Sequence, residues 1–263
     1  MSVVDAPERP PIDPRLRARR IAVRREEGRR RLRRLGIVAT IAAVVLAAGA
    51  LSQSRLLDVD RISVDGAAHT PPEEVRAATG IDIHEPMVRV DLGRARHGVL
   101  ALPWVATVSV KRSWPATIHV RITERTPVAT VPAGAAGFAL VDAEGRVLQT
   151  SATPPPGVVV LSGVPAPGAP GTTLPPEAAD ALHVASALPP NLAPKVSSIV
   201  VGPAGVELRL VAGGTVRLGP ATDLVAKLVA ADTVLTQADV SHLCVLDVRV
   251  ASAPSLTQGE RCA

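Results

Sequence analysis

Tyrosine is absent from this chain, and the other aromatics amount to one phenylalanine and two tryptophans. Single-stranded nucleic acid and sugars are gripped largely by stacking on such rings, so a groove for either has little to be built from. Lysine is scarce as well: there are three, none in a recognisable catalytic context. The patterns GxSxG, GxxxxGK(S/T), HExxH and CxxC do not occur. His69, His84, His97, His119, His183 and His242 are scattered without metal-ligand spacing. His242 and Cys244 share one face of a strand, but two ligands alone make no tight site. These absences argue against an enzyme of the common kinds, a bound cofactor or metal, a small-molecule substrate and a nucleic-acid partner. The core must come from Val, Leu, Ile and Ala.

A long apolar run is present. Residues 35–51, LGIVATIAAVVLAAGAL, carry no charge and no proline. As a helix they measure about 26 Å, close to the hydrocarbon thickness of a bilayer. Arg33, Arg34 and Arg55 flank the run and can snorkel to the interface. Residues 1–34 hold twelve arginines against five acids; the chain totals of 29 and 24 leave seventeen basic and nineteen acidic residues beyond the run. Basic residues beside a spanning helix stay in the cytoplasm, so the C-terminal bulk is expected outside. A nucleic-acid-binding arm competes for the arginines, but topology and anionic lipid already account for them. A cleaved signal peptide competes for the run, with Ala48-Gly49-Ala50 as its cleavage site. This leader is longer than such signals, and an uncleaved anchor over 35–52 is the reading adopted.

Beyond the run, Ile62 and Val64 alternate with Arg61, Ser63 and Asp65, as in a half-buried strand. Thr70-Pro71-Pro72-Glu73 predicts a helix start, with Thr70 as cap and Glu73 completing a capping box, and Gly80 its end. A second helix is expected from Asp91 to Pro103. Alternating strands follow around Ala106–Lys111 and Ile118–Thr123, joined through Arg112-Ser113-Trp114-Pro115, where the Trp114 ring is expected to be buried. The order strand-helix-helix-strand-strand can cover one sheet face with two helices.

Three segments carry a resemblance: Leu102-Pro103-Trp104-Val105; Val110 to Pro115, with Arg112 and Trp114; and Glu124-Arg125-Thr126-Pro127-Val128-Ala129. They resemble the LPxV, VxRxWP and ERxPVA motifs of the bacterial cell-division family FtsQ/DivIB. That resemblance implies an α+β protein: a transmembrane helix, a POTRA domain (β-α-α-β-β) over 57–126, and a second mixed α/β domain over 127–250 with an extended, mostly antiparallel sheet. Residues 1–34 would form a cytoplasmic tail and 251–263 a C-terminal tail. It further implies a non-enzymatic scaffold at the division septum, single-pass in the cell membrane, that binds FtsB or DivIC with FtsL and thereby influences septal peptidoglycan synthesis. A membrane-anchored cell-wall enzyme and an envelope-assembly POTRA protein are the rival readings. Glu124 and Arg125 are expected as surface or inter-domain charges.

In the second domain, a hairpin over Phe138–Leu148 turns at Gly145, a helix follows over Glu177–Ala187, and strands are expected near 196–201, 206–210 and 215–218. A helix over Ala221–Leu235 carries the apolar stripe Leu224, Leu228, Ala231 and Leu235, with Lys227 expected as a solvated charge. The last strand is expected over Cys244–Val250 and is taken as a sheet edge. A partner strand would add along Val245, Leu246, Asp247, Val248, Arg249, Val250 and Ser252, as the resemblance implies. Cys244 and Cys262 either pair, which an extracytoplasmic setting permits, or are unrelated thiols.

Overall fold

The structure, a computed structural model, describes residues 33–47, 49, 57–237 and 242–259. Residues 33–47 are helical (α1) and exposed throughout. Arg33 and Arg34 lie at the start of α1. The remainder of the expected anchor at 48 and 50–52, together with Arg55, Cys262 and the tail up to residue 32, lies outside the described residues. Among the described residues no helix is long and apolar enough to cross a membrane.

Residues 57–60, Ile83–Val90 and Trp114–Ala116 belong to one compact unit. Val59 and Met87 are fully buried. Backbone bonds knit its pieces: Val59 N–H to Glu85 O (2.9 Å), His84 N–H to Val59 O (2.8 Å) and Asp60 N–H to Ala116 O (2.9 Å). Trp114, which joins Pro115 through a cis peptide, is 54% exposed. The expectation that this ring fills a core is therefore wrong: more than half of the side chain faces solvent.

The second unit holds two sheets. In the first, β1 (Arg61–Asp65), β2 (Val105–Ser113) and β3 (Thr117–Glu124) lie in the order β1-β3-β2, with β1 parallel and β2 antiparallel to β3. Helices α2 (Pro72–Thr79) and α3 (Leu92–Ala101) cover the face carrying Ile62, Val108, Ile118, Val120 and Ile122. Glycine is required at position 98, where a Cβ would run into the carbonyl oxygen of Ala78 and force α2 and α3 apart. Asp91 caps α3, its carboxylate accepting from the N–H groups of Gly93 (2.9 Å) and Arg94 (3.0 Å). Gly80 ends α2 in the left-handed conformation, φ +61°. The expected capping box at Thr70 does not form. Pro71 occupies the cap position without a side-chain bond, and the Thr70 hydroxyl is buried with no partner among the described residues. The N–H groups before the helix turn instead to Glu124.

Among the described residues the second sheet has nine strands in the order β12-β11-β10-β9-β8-β7-β4-β5-β6. They are β4 (Pro127–Pro132), β5 (Phe138–Asp142), β6 (Val147–Ser151), β7 (Val159–Ser162), β8 (Val196–Gly202), β9 (Gly205–Leu210), β10 (Thr215–Gly219), β11 (Leu243–Asp247) and β12 (Ser255–Gln258). Five neighbouring pairs run antiparallel and three parallel. Helix α4 (Ala179–Ala187) packs over β4 and β8, α5 (Leu224–Gln237) packs over β10, and the two helices touch. The core between helices and sheet is aliphatic throughout, built on Leu161, Ile199, Leu208, Leu218, Leu228 and Leu246.

Candidate functional site

Strand β12 is the outer strand of the large sheet. All four of its residues are exposed, and among the described residues it pairs with β11 alone. A strand so placed turns alternate N–H and C=O groups of residues 255–257 to its outer side, where no other strand lies among the described residues. The expected edge, Cys244–Val250, is instead interior. Val245, Leu246 and Asp247 pair in parallel with Thr215, Val216 and Arg217 of β10, and antiparallel with Thr257, Leu256 and Ser255 of β12. Val248 is fully buried and its N–H donates to Arg217 O at 3.0 Å. Val250 and Ser252 fall in the bend and turn that lead into β12, closed by Ala253 N–H to Val250 O at 3.1 Å. The missed signal is slight: β12 is four residues, SLTQ, with one apolar side chain.

What ends β11 is local charge. The Asp247 carboxylate accepts from the backbone N–H of Arg249 (3.0 Å) and from its guanidinium (Nε 2.9 Å, Nη2 2.6 Å). The Arg249 guanidinium holds the Asp247 carboxyl below its usual range, outweighing burial, and Asp247 in turn raises Arg249. The Arg249 stem passes over Gly219 (φ +67°), where a Cβ would stand 3.0 Å from Arg249 Cγ. Lys227, on α5, is 4% exposed and donates from Nζ to Pro220 O at 2.8 Å. The expectation of a solvated lysine is overturned. Position 227 falls on the buried stripe of α5 between Leu224 and Leu228, so its amine turns inward and binds the chain just after β10.

Five of the motif residues, Pro103, Val105, Glu124, Arg125 and Pro127, lie at the joint between the two sheets, whereas Arg112, Trp114 and Pro115 do not. Glu124 points back toward the β1–α2 loop. Its carboxylate accepts from the backbone N–H groups of Ala68 (3.0 Å), His69 (2.9 Å) and Thr70 (3.0 Å), and lies 2.7 Å from His69 Nδ1. Burial raises the Glu124 pKa, but the N–H of Thr70, the His69 ring and the N–H groups of His69 and Ala68 together bring it down to about 2. The His69 ring stacks on Trp104, centroids 4.3 Å apart. Trp104, 8% exposed, is the tryptophan that packs in a core, against Leu140 and Leu148 of the second sheet.

Arg125 points the other way. It donates to Val105 O (3.2 Å), Asp142 (2.5 Å) and Glu144 (2.6 Å). Arg146 reaches back from the second domain to Pro103 O (3.3 Å) and Ala101 O (3.0 Å). Pro127 opens β4 and pairs with Asp142. Glu124 and Arg125 thus lie at the inter-domain joint, while Arg112 sits half-buried opposite Ile118 and away from it. Cys244 is disulfide-bonded; Cys262, the other cysteine of the chain, lies outside the described residues. Among the described residues no cluster of His, Cys, Asp and Glu could hold a metal ion.

Two family models match in tandem: "POTRA domain, FtsQ-type" over residues 57–125 and "Cell division protein FtsQ/DivIB, C-terminal" over residues 129–249. The cell division protein FtsQ of Streptomyces coelicolor is 32% identical over 231 residues, covering 83% of this chain and 86% of that protein. The chain belongs to the FtsQ/DivIB family. Other FtsQ proteins are similar over shorter stretches. That of Streptomyces bingchenggensis is 40% identical over 143 residues, 51% of this chain and 54% of its own. That of Corynebacterium glutamicum is 40% identical over 108 residues, 41% of this chain and 48% of its own. Against these relatives the matched stretch spans about half of their length. Within the FtsQ/DivIB frame the motif residues Pro103, Val105, Arg112, Trp114, Pro115, Glu124 and Arg125 all fall in the POTRA match. Strand β12 begins six residues past the end of the C-terminal match at 249.

Proposed function

We propose that this chain is a non-enzymatic scaffold of the division machine, anchored in the cytoplasmic membrane by the segment 35–52 with both folded domains outside. Its part in division is to hold partners: single-pass proteins of the FtsB/DivIC and FtsL type, and through them septal peptidoglycan synthesis. The observation that carries the reading is the outer side of β12 at residues 255–257, exposed at the end of the large sheet and paired with β11 alone among the described residues. Backbone pairing along that side gives affinity, and alternate side chains such as Leu256 give selectivity. The site we propose is residues 255–257 rather than 245–252. The Asp247–Arg249 turn acts indirectly, by setting where β12 begins.

Proline scanning with pull-down of the partner pair tests it. In an antiparallel strand adjacent residues point their N–H groups to opposite sides. Of Leu256→Pro and Thr257→Pro, one removes a bond to β11 and the other removes a donor on the outer side. The substitution that leaves the melting curve unchanged is expected to abolish capture. Full capture by that folded variant overturns strand addition.

A further inference from the structure

The POTRA sheet shows one face to α2 and α3 and the other to solvent. On the open face the register places Asp65, Arg121 and Ser109 in one row and Ser63, His119 and Lys111 in the next, with Arg61 opening β1 beside Thr117. Arg61, Lys111 and Arg121 are exposed, and among the described residues none of them is in an ion pair. Elsewhere Arg217, Arg249 and Lys195 each have a carboxylate within 3.4 Å, while exposed Arg209 on β9 is in no ion pair among the described residues. A shallow hollow of about 420 Å³ runs among Asp65, Ser109, Lys111, Arg112, His119 and Arg121. Serine and threonine fill the rest of the face, which carries no large apolar group for insertion.

We infer that this face rests on the phosphate headgroups of an anionic bilayer, an inference that relies on the anchor proposed above. Residues 52–60 separate the apolar run from Arg61 and span at most about 30 Å when extended. A domain on so short a tether meets the surface at high local concentration, so weak attraction suffices to orient it. Each cation near an anionic surface multiplies the bound population about fivefold, and three cations less Asp65 give about 25-fold. Hydroxyls between the cations supply donors to phosphate oxygens.

Lysine footprinting of the full chain tests this directly, because the chain has three lysines: exposed Lys111, half-exposed Lys195 and buried Lys227. The protein is reconstituted in vesicles of phosphatidylcholine alone or mixed with phosphatidylglycerol, then pulsed with an acylating reagent. Lys111 should label about fivefold more slowly in the anionic vesicles, with Lys195 unchanged. High salt, and the double variant Arg61→Gln/Arg121→Gln, should each restore labelling. Equal labelling of Lys111 in both vesicles overturns the inference. So does protection seen only in intact cells, which assigns the face to an acidic protein. A chain that floats with neither vesicle fails the anchor as well; a floating chain with unprotected Lys111 fails this inference alone.

Discussion

Replacing Glu124 with glutamine keeps the size of the side chain and removes its charge. In the folded chain that carboxylate gathers three backbone N–H groups and the His69 ring while remaining 9% exposed, so solvent screens it little. A fall from 4.5 to about 2 corresponds to about 3 kcal/mol of preference for the ionised form in the folded state. Glutamine can still accept one or two of the N–H bonds, so Glu124→Gln should cost about 2–3 kcal/mol at pH 7. For a domain pair of this size that lowers the melting temperature by about 5–10 °C. The stabilising form is the charged one. Its contribution is therefore whole above about pH 4.5 and disappears as pH falls toward 2. Circular-dichroism melts of the detergent-solubilised protein and the variant, taken from pH 7 down to pH 2.5, read both effects. The two curves should converge as the acid is protonated. A variant within about 1 °C of the parent at pH 7, or a gap that stays constant down to pH 2.5, refutes the assignment of Glu124 as the anchor of the β1–α2 loop.

Arg125→Leu leaves the Asp142 carboxylate, 3% exposed, without its guanidinium; it should cost about 3–5 kcal/mol in chemical denaturation, with Arg125→Lys intermediate. At the buried amine, Lys227→Glu sets a carboxylate against Pro220 O and should cost at least about 3 kcal/mol, whereas Lys227→Met should cost under about 2 kcal/mol; equal losses in the two variants would contradict the inward amine. Non-reducing peptide mapping of the purified protein should recover one cross-linked peptide joining Cys244 to Cys262, and its absence would show that the C-terminus is not stapled.

Most strands were readable because apolar residues alternate along them, as in β3, where Ile118, Val120 and Ile122 are buried between exposed neighbours. Helix α3 was readable at both ends, from Asp91 and Pro103. What escaped was set by partners distant in sequence. Nothing near Thr70 announces that its loop is capped by a carboxylate 54 residues later. The two tryptophans look alike in composition, yet only Trp104 has Leu140 and Leu148 above it. The last edge was misplaced because β12 is short and polar, so the apolar strand before it looked terminal. Lys227 could have been found: its spacing from Leu224 and Leu228 put it on the buried stripe. The parallel pairings β4–β7–β8 and β10–β11 join strands through long crossovers, and alternation alone carries no such information.

Glu124 and Arg125 are neighbours in the chain but grip in opposite directions, one backward into the loop before α2, the other forward onto Asp142 and Glu144. With Arg146 reaching back to Pro103, the short link into β4 is tied from both sides. A load applied to the large sheet is then handed to the POTRA fold across this double brace, through guanidinium and carboxylate groups as well as through the backbone.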